Sequence, residues 1–290
     1  MKGEQSNASP TVGQNHPNGV ITYFNLKELN DSDEVSLTYL DKNDKVIKTF
    51  SNKAKEKKNK LKVKKGANSF VWNMKYDGSK KLVGMILWWV NLDGPKAVPG
   101  EYQVMLKVED STKINTFETT KTFNILPDPR AESSISDMQK QFDFVSDVNE
   151  TVDKAHKSIK NIRAINKQLK AFQTQYKENK AVKELLEKAK ILENQLSDIE
   201  KALYQTKNRS PQDPLNFPIK LTNKIGHLNA LVSLDDFAPT AQDIAVKNEL
   251  TQKINDQLDA FNNLLSNEVK AFNKAFNEKG LSFLFVKDRE

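Results

Sequence analysis

The sequence predicts an α+β multidomain protein, an N-terminal antiparallel β-sandwich of the Ig/fibronectin-like kind followed by an antiparallel helical bundle of about four helices. Three observations carry this. All three tryptophans and eight of the ten glycines lie before Pro127-Asp128-Pro129, and only Gly226 and Gly280 lie after it. Ahead of that point, short runs of alternating polarity are separated by turn residues. Behind it, apolar residues recur in threes and fours. The length of 290 residues exceeds a common domain size of about 100–150. The expected division is a flexible tail over residues 1–16, a sandwich over 17–130 and a bundle over 131–290.

The strands are read from period-two alternation. Val20 to Leu26 is the first. Glu34 to Leu40 and Lys45 to Phe50 flank Asp41-Lys42-Asn43-Asp44, with Val35, Leu37 and Tyr39 alternating with Ser36 and Thr38, which is a hairpin signal. Ser69 to Tyr76 follows Gly66-Ala67-Asn68 and sets Phe70, Trp72 and Met74 on one face. Pro99-Gly100 leads into Glu101 to Val108, in which Tyr102, Val104 and Leu106 share a face, and Thr116 to Leu126 supplies the last strand. Runs this short and this closely spaced, with no helical pattern between them, argue for two packed sheets.

From Ser134 to about Tyr176, apolar residues at Met138, Phe142, Val145, Val148, Val152, Ala155, Ile159, Ile162 and onward keep a spacing that only a helix places on one face. A second helix, from about Lys180 to Lys207, carries Leu185, Ala189, Leu192, Leu196, Ile199 and Leu203, and a short polar turn makes the two an antiparallel hairpin. Three prolines within Asn208 to Pro218 forbid regular helix there. A third helix runs from Ile219 to Leu234. Thr240 with Asp243 has the spacing of a capping box, opening a last helix that Gly280 stops.

The chain carries a formal charge of +7, and that excess sits in one place. Between Lys53 and Lys65 there are eight lysines and one glutamate, leaving 37 positive and 37 negative charges elsewhere. Lys57, Lys58, Lys60 and Lys62 are therefore candidates for contact with an anionic surface. The segment contains no arginine or aromatic for stacking on bases, so it reads first as an exposed hairpin loop kept soluble by charge, and no specific nucleic-acid partner is expected.

No residue is cysteine, which excludes disulfides, iron–sulfur clusters and thiol nucleophiles. The histidines, His16, His156 and His227, have no metal-ligand spacing, and no serine elbow or glycine-rich phosphate loop is present, so no catalytic residue, metal or cofactor is expected. A hydrolase would require two carboxylates about 5–10 Å apart in a cleft. The longest apolar run, Leu82 to Val90, is far shorter than the roughly 20 residues of a membrane span, so no transmembrane segment is expected. The opening residues carry no apolar run of the secretory-signal kind. Within Leu82 to Val90, Trp88 and Trp89 are adjacent. In a strand they would face opposite sides, leaving one to pack against a neighbouring domain or the bundle, or to stack on a sugar ring. A further reading makes the first long helix a projecting coiled-coil adaptor.

Several strings occur in an order that carries a resemblance: Asn15-His16-Pro17-Asn18-Gly19-Val20; Gly66-Ala67-Asn68-Ser69-Phe70-Val71-Trp72-Asn73; Gly94-Pro95-Lys96-Ala97-Val98-Pro99-Gly100-Glu101-Tyr102; Pro127-Asp128-Pro129-Arg130; Tyr204 to Asn208; and Asp213 to Ile219. Together they resemble the C-terminal region of sortilin-like BNR-repeat proteins, often labelled glycosyl hydrolases or sialidase-like. The resemblance runs from about residue 15 to 285. It implies a non-catalytic accessory module whose partner is a β-propeller domain or another protein, in an exported, periplasmic or cell-surface setting. A carbohydrate-binding module or glycoside hydrolase component is the alternative.

Overall fold

The computed structural model describes Gly13, residues 16–112 and residues 114–282. Apart from Gly13 and His16, the tail expected over residues 1–16 lies outside the described residues. The chain divides into two units, and each draws on two stretches of sequence: Met1–Tyr76 with Lys96–Asp128, and Asp77–Pro95 with Pro129–Glu290. The boundary at Asp128 falls where the composition shifts. Residues 77–95, expected in the sandwich, belong instead to the helical unit.

The first unit is an antiparallel β-sandwich. Strands β1 (Val20–Leu26) and β4 (Gly66–Trp72) form one sheet. β3 (Val46–Ser51), β2 (Glu34–Asp41), β5 (Gly100–Glu109) and β6 (Thr116–Ile125) form the other, in the order β3-β2-β5-β6. The alternation works as the pleat requires: Val35, Leu37 and Tyr39 of β2 are buried together with Trp72 of β4 and Phe50 of β3. Tyr39 stacks on Trp72 with ring centroids 4.5 Å apart, and its hydroxyl meets the Thr22 hydroxyl at 2.8 Å. Burial pushes that phenol up to about 12, so it stays a neutral hydrogen-bonding group. At the β2–β3 turn, the Asp41 carboxylate accepts the backbone N–H groups of Asn43 and Lys45, which explains the Asp/Asn-rich sequence there.

The second unit is built around helix α1 (Ile135–Tyr176), 42 residues and so about 60 Å long. Ser134 and Asp137 form a capping box at its start. Helix α2 (Lys183–Leu203) runs antiparallel to it: Arg163 pairs with Glu200, Asn166 with Ser197 and Gln173 with Glu193. After the proline-rich stretch, α3 (Leu221–Val232) is also antiparallel to α1, with Asn229 bonded to Asn149 and the Val232 carbonyl to Gln141. α2 and α3 therefore form one broken column, α2 along the C-terminal half of α1 and α3 along its N-terminal half.

The returning column runs parallel to α1. It comprises α4 (Ala241–Leu264), a single π turn at Leu265–Val269, and α5 (Lys270–Glu278). Lys247 reaches Asp147, and Phe272 and Phe276 reach Phe172. Thr240 and Asp243 form the expected capping box, and Gly280 follows α5 with φ 62°, the left-handed conformation that closes a helix. Helices α2, α3 and α4 all pack against α1. Among the described residues, no helix is long and apolar enough to cross a membrane.

Candidate functional site

Leu82 to Val90 forms no strand. It lies within an excursion, residues 77–95, that packs on the helices and is called the tryptophan loop below. Met85 is buried in the helical core, and Leu82, Leu87 and Leu92 pack against that core. An apolar run of this length reads as a strand, but no sheet edge receives its backbone. Side chains of the helices do so instead.

The entry limb is held by α1. The Ser79 hydroxyl donates to the Asn149 carbonyl and to Asn149 Oδ1, both at 2.9 Å, and the Lys80 N–H donates to Asp153 Oδ1 at 2.8 Å. His156 Nδ1 lies 2.8 Å from the Lys80 carbonyl. Asn149, Asp153 and His156 are spaced by four and three residues, so one stripe of α1 supplies all three contacts. The exit limb returns to the same stripe, where Asn149 Nδ2 donates to the Asp93 carbonyl at 2.9 Å. The limbs close tightly at the neck: a β-carbon at Gly78 would stand 1.9 Å from the Leu92 carbonyl oxygen, so only glycine fits.

The tip is held by α3 and by the residue after α2. The Ile86 N–H donates to the Tyr204 hydroxyl at 2.9 Å. Asn223 grips Trp88 in both directions, its Oδ1 accepting the Trp88 N–H at 2.8 Å and its Nδ2 donating to the Trp88 carbonyl at 2.9 Å. Gly226 lets the loop approach, since a β-carbon there would lie 2.6 Å from a Val90 methyl. Apart from Asp153, which is exposed, these holding side chains are buried, so their bonds are made where an unpaired group would be costly.

This grip fixes the two tryptophans. Trp89 has φ 52°, a conformation that costs a residue with a β-carbon roughly 1–2 kcal/mol. Its side chain is 72% exposed, with its ring 5.6 Å from that of Trp88 and 6.4 Å from that of His227. The expectation of opposite faces fails because the left-handed turn at Trp89 brings the two rings together. On α3, Leu231 follows His227 by one turn, and it is exposed, as are Leu234 and Phe237 beyond it. Trp89 thus stands beside His227 of α3, with Leu231 exposed one turn further on and Leu234 and Phe237 exposed past the end of the helix.

The lysine candidates lie in the other unit. Lys57, Lys58, Lys60 and Lys62 are exposed, as expected, but the segment is not a hairpin loop. It connects β3 of one sheet to β4 of the other, and Leu61 within it is buried in the sandwich core, its N–H donated to the Ser51 carbonyl at 3.0 Å. Period-two alternation turns Leu61 and Val63 inward and the neighbouring lysines outward.

A concave feature lies at the far end of α1. Leu169, Phe172, Leu192, Phe272 and Phe276 line a groove of about 360 Å³, and the π turn forms one edge of it. Among the described residues, no three His, Cys, Asp or Glu side chains converge as a metal site would require. Among the described residues, the carboxyls whose pKa is displaced, at Asp110, Asp137, Asp213 and Glu249, are displaced downward by hydrogen bonds at turns and caps or by a lysine.

Sequence reasoning singled out the tryptophans but missed what holds them: Asn149, Asp153, His156, Tyr204, Asn223 and Asn229. One signal was present. Asn149 and His156 each sit next to a residue of the apolar stripe of α1, where a polar side chain has to find a buried partner. Compared with family models, curated proteins and solved structures, the chain finds no match.

Proposed function

We propose that this chain is a non-catalytic interaction module that docks a protein partner on Trp89 and the exposed apolar residues Leu231, Leu234 and Phe237. One observation carries this: Trp89 is held exposed, in a backbone conformation unfavourable for it, by a loop whose own backbone is gripped by buried amides. Strain of this kind persists where the surrounding structure over-determines it, and such sites are often functional. A large aromatic on a rigid support is what an interface anchor needs. By the resemblance of its strings to sortilin-like BNR-repeat proteins, we infer a partner such as a β-propeller domain, in an exported parent protein.

The test places a photo-crosslinking residue at position 89, and as a control at position 57, in cells that make the protein natively. A protein adduct at 89 that is absent at 57 and is lost on Leu231→Ser supports docking. No adduct at 89, or one equal to the control, overturns it. The exposed ring beside His227 also favours a second reading, stacking on a sugar. Leu231 and Leu234 offer no hydrogen bonds to hydroxyls, so the protein reading is preferred. Binding on a glycan array that disappears with Trp89→Ala would reverse that preference.

A further inference from the structure

We propose that His156 makes the tryptophan loop an acid-sensitive latch, releasing the entry limb of the loop from α1 when its ring takes up a second proton. This rests on the reading of Trp89 as the docking anchor and gives that site a means of regulation.

The geometry fixes the ring's state. A carbonyl only accepts, so the 2.8 Å contact between Nδ1 and the Lys80 carbonyl requires the proton on Nδ1. Nε2 is then a bare acceptor, and it is buried with no hydrogen-bond partner. The side chain as a whole is 2% exposed. A proton added to Nε2 would bring a charge and a donor to a buried place where no protein acceptor meets it. Opening the limb at Ser79 and Lys80 exposes the ring and removes that penalty, so protonation favours the open form.

The charges around the ring do not reverse this. Asp153, one turn earlier on α1 and already bonded to the Lys80 N–H, favours the imidazolium. Arg163, further along α1 and paired with Glu200 of α2 at 2.7 Å, opposes it. The loop presents the Lys80 carbonyl, and Lys80 itself is exposed. Burial is the largest influence and holds the imidazole below its ordinary value of 6.5. The sign follows. The closed latch binds the proton less well than the open one, so closure is complete above pH 6.5 and is lost as pH falls from there towards the depressed value. The limb carries one of the loop's four hydrogen-bonded attachments, the others being Ile86 to Tyr204, Trp88 to Asn223 and the Asp93 carbonyl to Asn149.

Amide hydrogen exchange on the isolated chain tests this, with rates corrected for the intrinsic effect of pH. The protection factor of the Lys80 amide should fall between pH 7.5 and 5.5, by at most about tenfold, while amides in the middle of α1, such as that of Ile159, keep theirs. His156→Asn retains an amide donor for the Lys80 carbonyl but does not titrate, and it should abolish the pH response. His227→Gln, which removes the other imidazole of this unit, should leave the response intact. A flat Lys80 profile in the native chain, or an undiminished fall in His156→Asn, would overturn the proposal. If His156→Asn does not fold, the ring's own titration by NMR decides, and a midpoint at or above 6.5 sinks the idea. No partner takes part in these measurements, so a failed cross-link at position 89 and a failed latch are separate results.

Discussion

Between β3 and β4 the chain passes through a lysine-rich segment that one fully buried leucine, Leu61, holds to the sandwich core, whereas between β4 and β5 it leaves for the helical unit, where Asn149, His156, Tyr204 and Asn223 hold its backbone. Both connections display side chains to solvent. The first displays charges that water already satisfies, on a backbone that needs no special geometry. The second displays an indole that water does not favour, on a backbone bent against its preference. Exposure alone therefore separates nothing here; what distinguishes the loops is how much buried structure is devoted to maintaining the exposure.

The largest effects fall on the two hydrophobic anchors. Leu61→Ala and Met85→Ala should each cost about 2–5 kcal/mol in urea denaturation, because each empties a site in a packed core. A cost below about 1 kcal/mol for Met85→Ala would mean that the tryptophan loop rests on the helical unit without belonging to it. Next comes the amide grip. Asn223→Ala leaves the Trp88 N–H and carbonyl without their partner and should cost about 1–3 kcal/mol. It should also raise hydrogen exchange at Trp88 more than at Lys80, and equal increases at both would break the picture of separate attachments.

The two connections also differ in how well the sequence announces them. The six strands lie within a few residues of the alternating runs, and all four helices lie where the threes and fours place them, because both periodicities are local and each element buries the face that its pattern marks. The tryptophan loop was not legible in this way. Leu82 to Val90 has the composition of a strand, and what prevents it from being one lies far along the chain: Asn149 and His156 on α1, Asn223 and Gly226 on α3. Long-range polar pairing leaves no periodic trace. The broken α2–α3 column was half legible, since the prolines of Asn208 to Pro218 mark the break but not the direction in which the chain continues.

A smaller effect probes the strain itself. At φ 52° glycine is at ease and alanine is not, so Trp89→Gly should be more stable than Trp89→Ala by about 1 kcal/mol, reversing the usual order of the two residues. An alanine variant as stable as the glycine variant would show that the backbone relaxes once the indole is gone. The conformation would then belong to the side chain's packing on His227 and Trp88 rather than to the grip of Asn223.

The smallest effect is expected where the charge is largest. Replacing Lys57, Lys58, Lys60 and Lys62 together with glutamine should change stability by no more than about 0.5 kcal/mol, because these side chains are exposed and the segment is anchored by Leu61. The one ion pair in this set, Lys58 with Glu56 at 3.4 Å, is well exposed and contributes little. Retention on a sulfated or phosphorylated polymer is the sensitive readout, since four fewer charges should shift elution to lower salt if this segment makes the contact. An unchanged elution position would assign the lysines to solubility alone. A stability loss of several kcal/mol would contradict the comparison itself, because the lysine stems would then be part of what holds the segment in place.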